Sequence, residues 1–314
     1  MTLLYSNPCF LDHETGQHPE NPSRLQAVTE RLRTSGLEQK CQSPACPPAA
    51  PERIQRVHTP EYAEAVDRFC RQGGGHVEAD TVVSRDSYAV ALRAAGAACD
   101  AVEKLLGGKD TNALCLNRPP GHHARQQNPM GFCLLNNVAI AARTATDEFD
   151  VDRVLIVDFD VHHGNGTQET FWEDGRVGFL SIHRWPFYPG TGSGEECGSG
   201  DGLGTTVNLP VSYGTSAEEQ VKLFRDELSR LADKLKPELV LLSAGFDAHR
   251  ADPVGSLGLD FEHLDQMARS VLDVADAHAQ GRLMSVLEGG YNPPDLAQCV
   301  ENLLTAFLER PAGD

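Results

Sequence analysis

The 314-residue chain has no run of 18 apolar residues, and its opening stretch, MTLLYSNPCFLDHE, lacks a basic segment and a long apolar one. A spanning helix needs about 20 predominantly apolar residues. Neither a membrane span nor a secretory leader is therefore expected. Basic residues are scarce, with 27 Lys and Arg against 45 Asp and Glu and a net charge of -18. That balance argues against nucleic acid or an anionic membrane as partner. The acidic surplus serves solubility first, with a cationic substrate as the second reading. No C-x-x-C joins the nine cysteines (Cys9, Cys41, Cys46, Cys70, Cys99, Cys115, Cys133, Cys197 and Cys299). An odd, scattered set fits reduced, mostly buried thiols in a cytoplasmic protein better than a disulfide framework. No G-x-G-x-x-G lies between a strand and a helix, so a dinucleotide cradle is unsupported.

What remains is an ordinary globular composition, 40% hydrophobic and 23% charged. Short apolar or β-branched runs at 113–116, 154–159, 177–182, 238–244 and 283–288 read as strands. Helix-period segments cover 23–34, 60–71, 87–106, 136–146, 216–235, 261–279 and 295–309. In the 216–235 segment Val221, Phe224, Leu228, Leu231 and Leu235 recur at three- and four-residue steps. Strands that are apolar throughout and separated by helices predict an α/β fold, an open and mostly parallel sheet covered on both faces. CQSPACPPAAPE (41–52) reads as a surface connector and PGTGSGEECGSGDGLG (189–204) as a long glycine-rich loop. Loops of that length are more often functional than idle. With no repeat and no sharp change of composition, 1–314 reads as one domain.

Ligands of open parallel sheets bind beyond the carboxyl ends of the strands. Each predicted strand ends there in polar residues: RPPGHHA (118–124), DFDVHHGNG (158–166), SIHRWPFYPG (181–190), SAGFDAH (243–249) and LEGGYNP (287–293). A lone histidine after a strand is more often structural, but five converging segments reverse that reading. Strand geometry puts the side chains at 158, 160 and 162 on one face, so Asp160 and His162 can close on one ion. A catalytic zinc takes three protein ligands and keeps a position for water. The best-placed third ligand is Asp247. The absence of a cysteine cluster excludes a sulfur-rich site, whereas carboxylate and imidazole suit Zn²⁺ but also Fe²⁺, Co²⁺ or Mn²⁺. His163 falls out of step and is expected to pack behind the site.

With these motifs the chain resembles the histone deacetylase superfamily, of zinc-dependent arginase–deacetylase fold. The likeness runs from HPENPSRL (18–25) to EGGYNP (288–293) through RPPGHHA, DFDVHHGNGT, YPGTG and SAGFDAH, in order. It implies Asp160, His162 and Asp247 as zinc ligands, His122 and His123 as tandem catalytic histidines, and Tyr291 as the catalytic tyrosine. Asp158 is implied as the partner of His122. Gly131, Phe132 and Tyr188 match the walls of an acyl-lysine tunnel, with Gly290, Val254 and Asp80 as further substrate contacts. Asp158, Asp160, His162, Ser181 and Ile182 resemble a structural potassium site, partly through backbone carbonyls. A second potassium site, with Thr205 at its side-chain position, matches less well.

The departures from the class I pattern are informative. Asn165 stands where many class I members carry an aspartate beside the second histidine, and HHGNG is more similar to class II members and their bacterial relatives. An amide stabilises an imidazolium less than a carboxylate does, so His123 should stay neutral and suit a general base. Tyr188 replaces a tunnel phenylalanine. The expected activity is zinc-dependent hydrolysis of acetyl-lysine, in proteins or peptides, with longer acyl groups open. Small acetylated amines such as acetylpolyamines, or a metabolite, are the alternative. Polyamine-specific members carry an acid where ADPVGS places Val254, which weakens that alternative. A non-catalytic reader of acylated lysine would lack Tyr291 or a ligand, and all are present. A two-manganese, arginase-like site would need extra bridging carboxylates, and Asn165 is no substitute for one. His13, His18, His58, His76, His263 and His278 read as surface or satisfied core, while His183 and His249 flank the rim. No feature fixes an oligomeric state.

Overall fold

The structure is a computed structural model and describes residues 2–310. Its strands are β1 (Thr2–Tyr5), β2 (Cys41–Gln42), β3 (Gly75–His76), β4 (Val82–Val83), β5 (Asn112–Cys115), β6 (Val154–Asp158), β7 (Val177–Arg184), β8 (Thr206–Val211), β9 (Leu239–Ala244) and β10 (Leu283–Leu287). The α-helices are α1 (Ser23–Thr34), α2 (Pro51–Ile54), α3 (Pro60–Arg71), α4 (Ser87–Leu106), α5 (Asn137–Glu148), α6 (Asn165–Phe171), α7 (Ala217–Leu235), α8 (Phe261–His278) and α9 (Pro293–Glu309).

Among the described residues, eight strands form one sheet in the order β2-β1-β5-β10-β9-β6-β7-β8, and β3 and β4 form a small hairpin. Every pairing in the large sheet is parallel. Each residue of β5, β6, β9 and β10 is buried. Strands that alternate sides and still hide every side chain must be covered on both faces, as the unbroken apolar runs predict.

All eight strands of the large sheet point the same way, so their carboxyl ends share one edge. The order then sets where that edge opens. After β6 the chain moves outward to β7, whereas after β9 it moves the other way to β10. β6 and β9 are neighbours, and a crevice opens between strands whose connections diverge. The loops after β6 and β9 carry Asp160, His162 and Asp247.

The helices follow their apolar stripes. α7 starts with a capping box in which Ser216 Oγ accepts from Glu219 N at 3.3 Å and Glu219 Oε2 accepts from Ser216 N at 3.3 Å. Its stripe Val221, Phe224, Leu228 and Leu231 is buried, as the spacing predicts. α9 begins two residues before the expected 295, because Pro293 and Pro294 occupy first-turn positions that need no amide donor. β8 is unheralded in the sequence: its Pro210 cannot serve a central strand, but β8 lies at the sheet edge, where proline is tolerated. The 189–204 segment is a loop with one 3-10 turn at Gly200–Gly202.

Candidate active site

The expectation that one strand face carries 158, 160 and 162 needs correction, because β6 stops at Asp158. Asp160 and His162 sit in the irregular turn that follows, held by side chains folding onto the backbone. Asp158 Oδ1 accepts from Asp160 N at 3.0 Å, and Asp160 Oδ1 accepts from His162 N at 2.9 Å. Short acids that bond the amide two residues on are what shape such turns.

The three expected ligands do converge. One ligand atom from each of Asp160, His162 and Asp247 lies within 4.8 Å of the others, and all three residues are buried. His162 Nδ1 stands 3.0 Å from Asp160 Oδ1 and 3.1 Å from Asp247 Oδ2. The outer oxygens are taken by backbone: Gly289 N donates to Asp160 Oδ2 at 2.9 Å, and Val161 N donates to Asp247 Oδ1 at 2.9 Å. Asp247 Oδ2 is buried and accepts no aligned hydrogen bond. Gly245 and Gly289 close the back of the cluster, where an added Cβ would overlap the carboxylates of Asp160 and Asp247. Two carboxylates and one imidazole, aimed at a shared point with one oxygen unserved, fit a divalent cation. Without one, burial and the Asp160 charge push the Asp247 carboxyl up to about 7.

The tandem histidines have opposite partners. His122 Nδ1 lies 2.8 Å from Asp158 Oδ2, and His123 Nδ1 lies 2.7 Å from Asn165 Oδ1. Burial alone would lower His122, but the Asp158 and Asp160 charges overcome it and push it up to about 10. Burial also dominates His123, and with the His122 and His162 charges it holds this imidazole well below its usual range. Two adjacent histidines are thus driven to different protonation states.

A cavity of about 220 Å³ descends to this point, lined by Asp80, His123, Gly131, Phe132, His162, Phe187, Tyr188, Val254 and Tyr291. All the expected wall residues are here except Gly290. Its carbonyl accepts from Arg24 Nε at 2.6 Å, and its Cα faces Leu296 and Phe246, so it supports the wall from behind. Tyr291 packs edge-on against Phe132 at 5.6 Å, and burial pushes its phenol well above the ordinary value. Ser181 is the register partner of Asp158, and its Oγ lies 3.0 Å from His183 Nδ1. His163 bonds Thr191 Oγ1 at 2.8 Å and Gln168 Oε1 at 3.1 Å, behind the ligand turn. His249 stacks on Phe261 away from the cavity.

Several residues escaped the sequence reading. Phe187 stacks on His162 at 5.2 Å, completing the wall beside Tyr188. His18, set aside as surface or core, packs edge-on against Phe132 at 4.4 Å and bonds Asp80 O at 3.0 Å. Asp252 accepts from Tyr291 N at 2.6 Å and from Val254 N at 2.9 Å, joining two walls. Arg24, fully buried and paired with Glu20 at 2.9 Å, lies 4.9 Å over the Tyr291 ring. Glu288 bonds the amides of Gly121 and His122. Arg24, Asp252 and Glu288 shared one signal, a charged residue inside an apolar or glycine-rich motif, HPENPSRL, ADPVGS or LEGGYN. Such a residue needs a buried partner.

A parallel sheet with this order and this rim cluster is the arginase–deacetylase fold. Residues 18–307 match the family model described as the histone deacetylase domain. A probable deacetylase of Archaeoglobus fulgidus is 39% identical over 286 residues, which cover 90% of this chain and 79% of that one. The human polyamine deacetylase HDAC10 is 39% identical over 93% of this chain and 45% of its own length. The crystal structure of the HDA15 HD domain superposes with a TM-score of 0.92 at 34% identity, covering 98% of this chain and 88% of that one. The chain belongs to the histone deacetylase family, and its class is that of the hydrolytic deacetylases.

Proposed function

We propose that the chain is a zinc-dependent lysine deacetylase, hydrolysing the Nε-acetyl amide of acetyl-lysine in proteins or peptides to the free amine and acetate. The observation that carries this reading is one narrow cavity that brings His123, His162 and Tyr291 to its lining. Asp160, His162 and Asp247 would hold the zinc ion. Bound there, it supplies Lewis acidity toward the amide carbonyl and the attacking water. Asn165 Oδ1, at 2.7 Å, accepts the Nδ1 proton of His123 and leaves Nε2 free as acceptor. His123 then takes the water's proton through Nε2 as the oxygen attacks. Asn165 is an amide and accepts no proton itself, so His123 returns that proton to the departing amine. His122, kept charged by Asp158, steadies negative charge developing beside it. Tyr291, held neutral by burial, donates to the carbonyl oxygen as it becomes an oxyanion. Phe132 and Tyr188 flank the lysine methylenes, and Asp80 at the wall accepts from the substrate backbone. Asp158, Asp160, His162, Ser181 and Ile182 are proposed to hold potassium, supported by the rung that pairs Asp158 with Ser181. All nine cysteines are free, which suits a cytoplasmic protein. No helix among the described residues is long and apolar enough to cross a membrane.

A second reading, a small acetylated amine as substrate, has the likeness to the human polyamine deacetylase in its favour. Against it, Val254 lines the cavity and offers no carboxylate to a second ammonium. Kinetics on acetyl-lysine peptides, N-acetylpolyamines and longer acyl-lysines, measured with metal content, decide between them. A kcat/KM led by the acetylpolyamine overturns the lysine reading, and two transition-metal ions per chain overturn the mononuclear one.

A further inference from the structure

Glu288 takes no part in the steps above, yet it is fully buried at the end of β10. Its Oε2 accepts from Gly121 N at 2.7 Å and from His122 N at 3.2 Å, and its Oε1 accepts the Ser243 hydroxyl at 3.1 Å. Ser243 on β9 is the register partner of Asp158 on one side and Val286 on the other. The carboxylate therefore ties the middle of three parallel strands to the Pro-Gly-His-His turn. The next residue, Gly289, donates its amide to Asp160 Oδ2, and Tyr291 lines the cavity. Four consecutive residues thus set the histidine pair, one carboxylate of the ligand cluster and the tyrosine relative to one another.

Glu288, His122 and Cys133 also have ligand atoms within 4.8 Å of one another. They do not form a second cation site, because the Glu288 oxygens already serve three donors. The Cys133 thiol donates to Gly131 O at 3.3 Å, and His122 Nδ1 is engaged with Asp158. What those donors describe is an acceptor, not a ligand.

We propose that Glu288 is a positioning residue for the hydrolysis: as acceptor for two amides of the turn, it aims His122 and His123 at the scissile amide. Without it, two buried N–H groups lose their acceptor and the turn must shift to find others. This rests on the assignment of proton transfer to His123. Glu288 itself touches neither substrate nor water in that scheme, so its effect belongs in kcat.

The test uses the zinc-loaded full chain and an acetyl-lysine peptide, with kcat, KM and zinc content measured for Glu288→Ala, Glu288→Gln and Ser243→Ala beside His123→Ala. Misplacement of catalytic groups on the order of 1 Å costs about 10²-fold, so Glu288→Ala should lose about that in kcat with KM and zinc content retained. Glu288→Gln keeps an oxygen for both amides and turns its NH2 to the Ser243 oxygen; it should recover at least about ten-fold of that loss. Ser243→Ala leaves both amide bonds in place and should lose less than the alanine variant. Should Glu288→Ala fail to fold, the glutamine variant decides: kcat within about ten-fold of wild type supports the proposal. A glutamine variant as impaired as alanine, or an alanine loss that falls in KM or zinc content, overturns it. So does an unchanged Glu288→Ala beside an inactive His123→Ala. A fully active His123→Ala overturns the proton-transfer reading and this one with it.

Discussion

Replacing Asn165 by aspartate tests the division of labour between the two histidines. The perturbation puts a negative charge where the amide oxygen now stands, 2.7 Å from His123 Nδ1. With charge centres about 4 Å apart, the attraction is about 4 kcal/mol at an effective dielectric of 20 and about 1 kcal/mol in water. Asn165 is only half buried and borders an open groove, so the value lies between these limits. At about 1.4 kcal/mol per unit, His123 should rise by about 1–3 pKa units in Asn165→Asp. The sign follows from the role. A general base works when neutral, so activity falls as pH drops through its pKa. In the native chain burial and the His122 charge hold that pKa well below the usual imidazole range, and the acid limb should lie far to the acid side. In Asn165→Asp the limb should move to higher pH by about 1–3 units. The assay is kcat/KM from pH 5 to 9 on one acetyl-lysine peptide at fixed ionic strength. An unmoved or acid-shifted limb, in a variant that still binds zinc, refutes the assignment of His123 as the base.

Tyr291→Phe removes the hydroxyl proposed as oxyanion donor and should lower kcat by about 10²–10³-fold while zinc content stays equal; undiminished turnover sinks that role. Val254→Glu puts a carboxylate where the cavity wall now presents an apolar side chain. Because that position is half buried, the gain in kcat/KM for an acetylated diamine relative to an acetyl-lysine peptide should be about ten-fold, at the low end for a charged hydrogen bond. An unchanged ratio would mean that selectivity lies elsewhere in the wall. Chelation should lower the Tm and zinc should restore it, since zinc at about 100 times its Kd stabilises the folded state by about 2.7 kcal/mol. A Tm indifferent to chelator would contradict the ligand assignment.

The sheet was legible because its central strands are apolar on both faces and its helices carry regular stripes. The edges were not. β1 and β8 sit at or near the margin, and proline in β8 gives a pattern that reads as loop. At the site, most side chains were legible from motif and position: His123, His162, Phe132, Tyr188, Val254 and Tyr291 on the cavity lining, and Asp160, Asp247 and His122 buried against them; Phe187, also on the lining, was not. The pleat argument brought Asp160 and His162 together by a wrong route, because both lie beyond the strand and converge through the turn that follows it. Illegible were the groups whose partners are backbone atoms far along the chain. Arg24 meets Gly290, Glu288 meets Gly121, and Asp252 meets Tyr291. Nothing local marks which amide a buried charge will find. Gly290 was misplaced for the same reason: its role depends on an arginine more than 260 residues away.

These long-range pairs share a design that bears on how the site works. Asp160 and Asp247 spend their outer oxygens on the amides of Gly289 and Val161, and Glu288 spends both of its oxygens on neighbouring donors. The amides belong to the turns that leave the strand ends. The carboxylates are therefore oriented by backbone before any ligand arrives, and their remaining oxygens face one another across a short gap. That arrangement is unfavourable in isolation, since like charges in a buried site repel and Asp247 Oδ2 lacks a donor. It is favourable once a cation occupies the gap, and little reorganisation is then required. Loss of a ligand side chain should accordingly cost metal more than fold, because the sheet and the amides that define the gap stay in place. The rim is pre-organised by main chain, and the chemistry is supplied by the few side chains that turn inward from it.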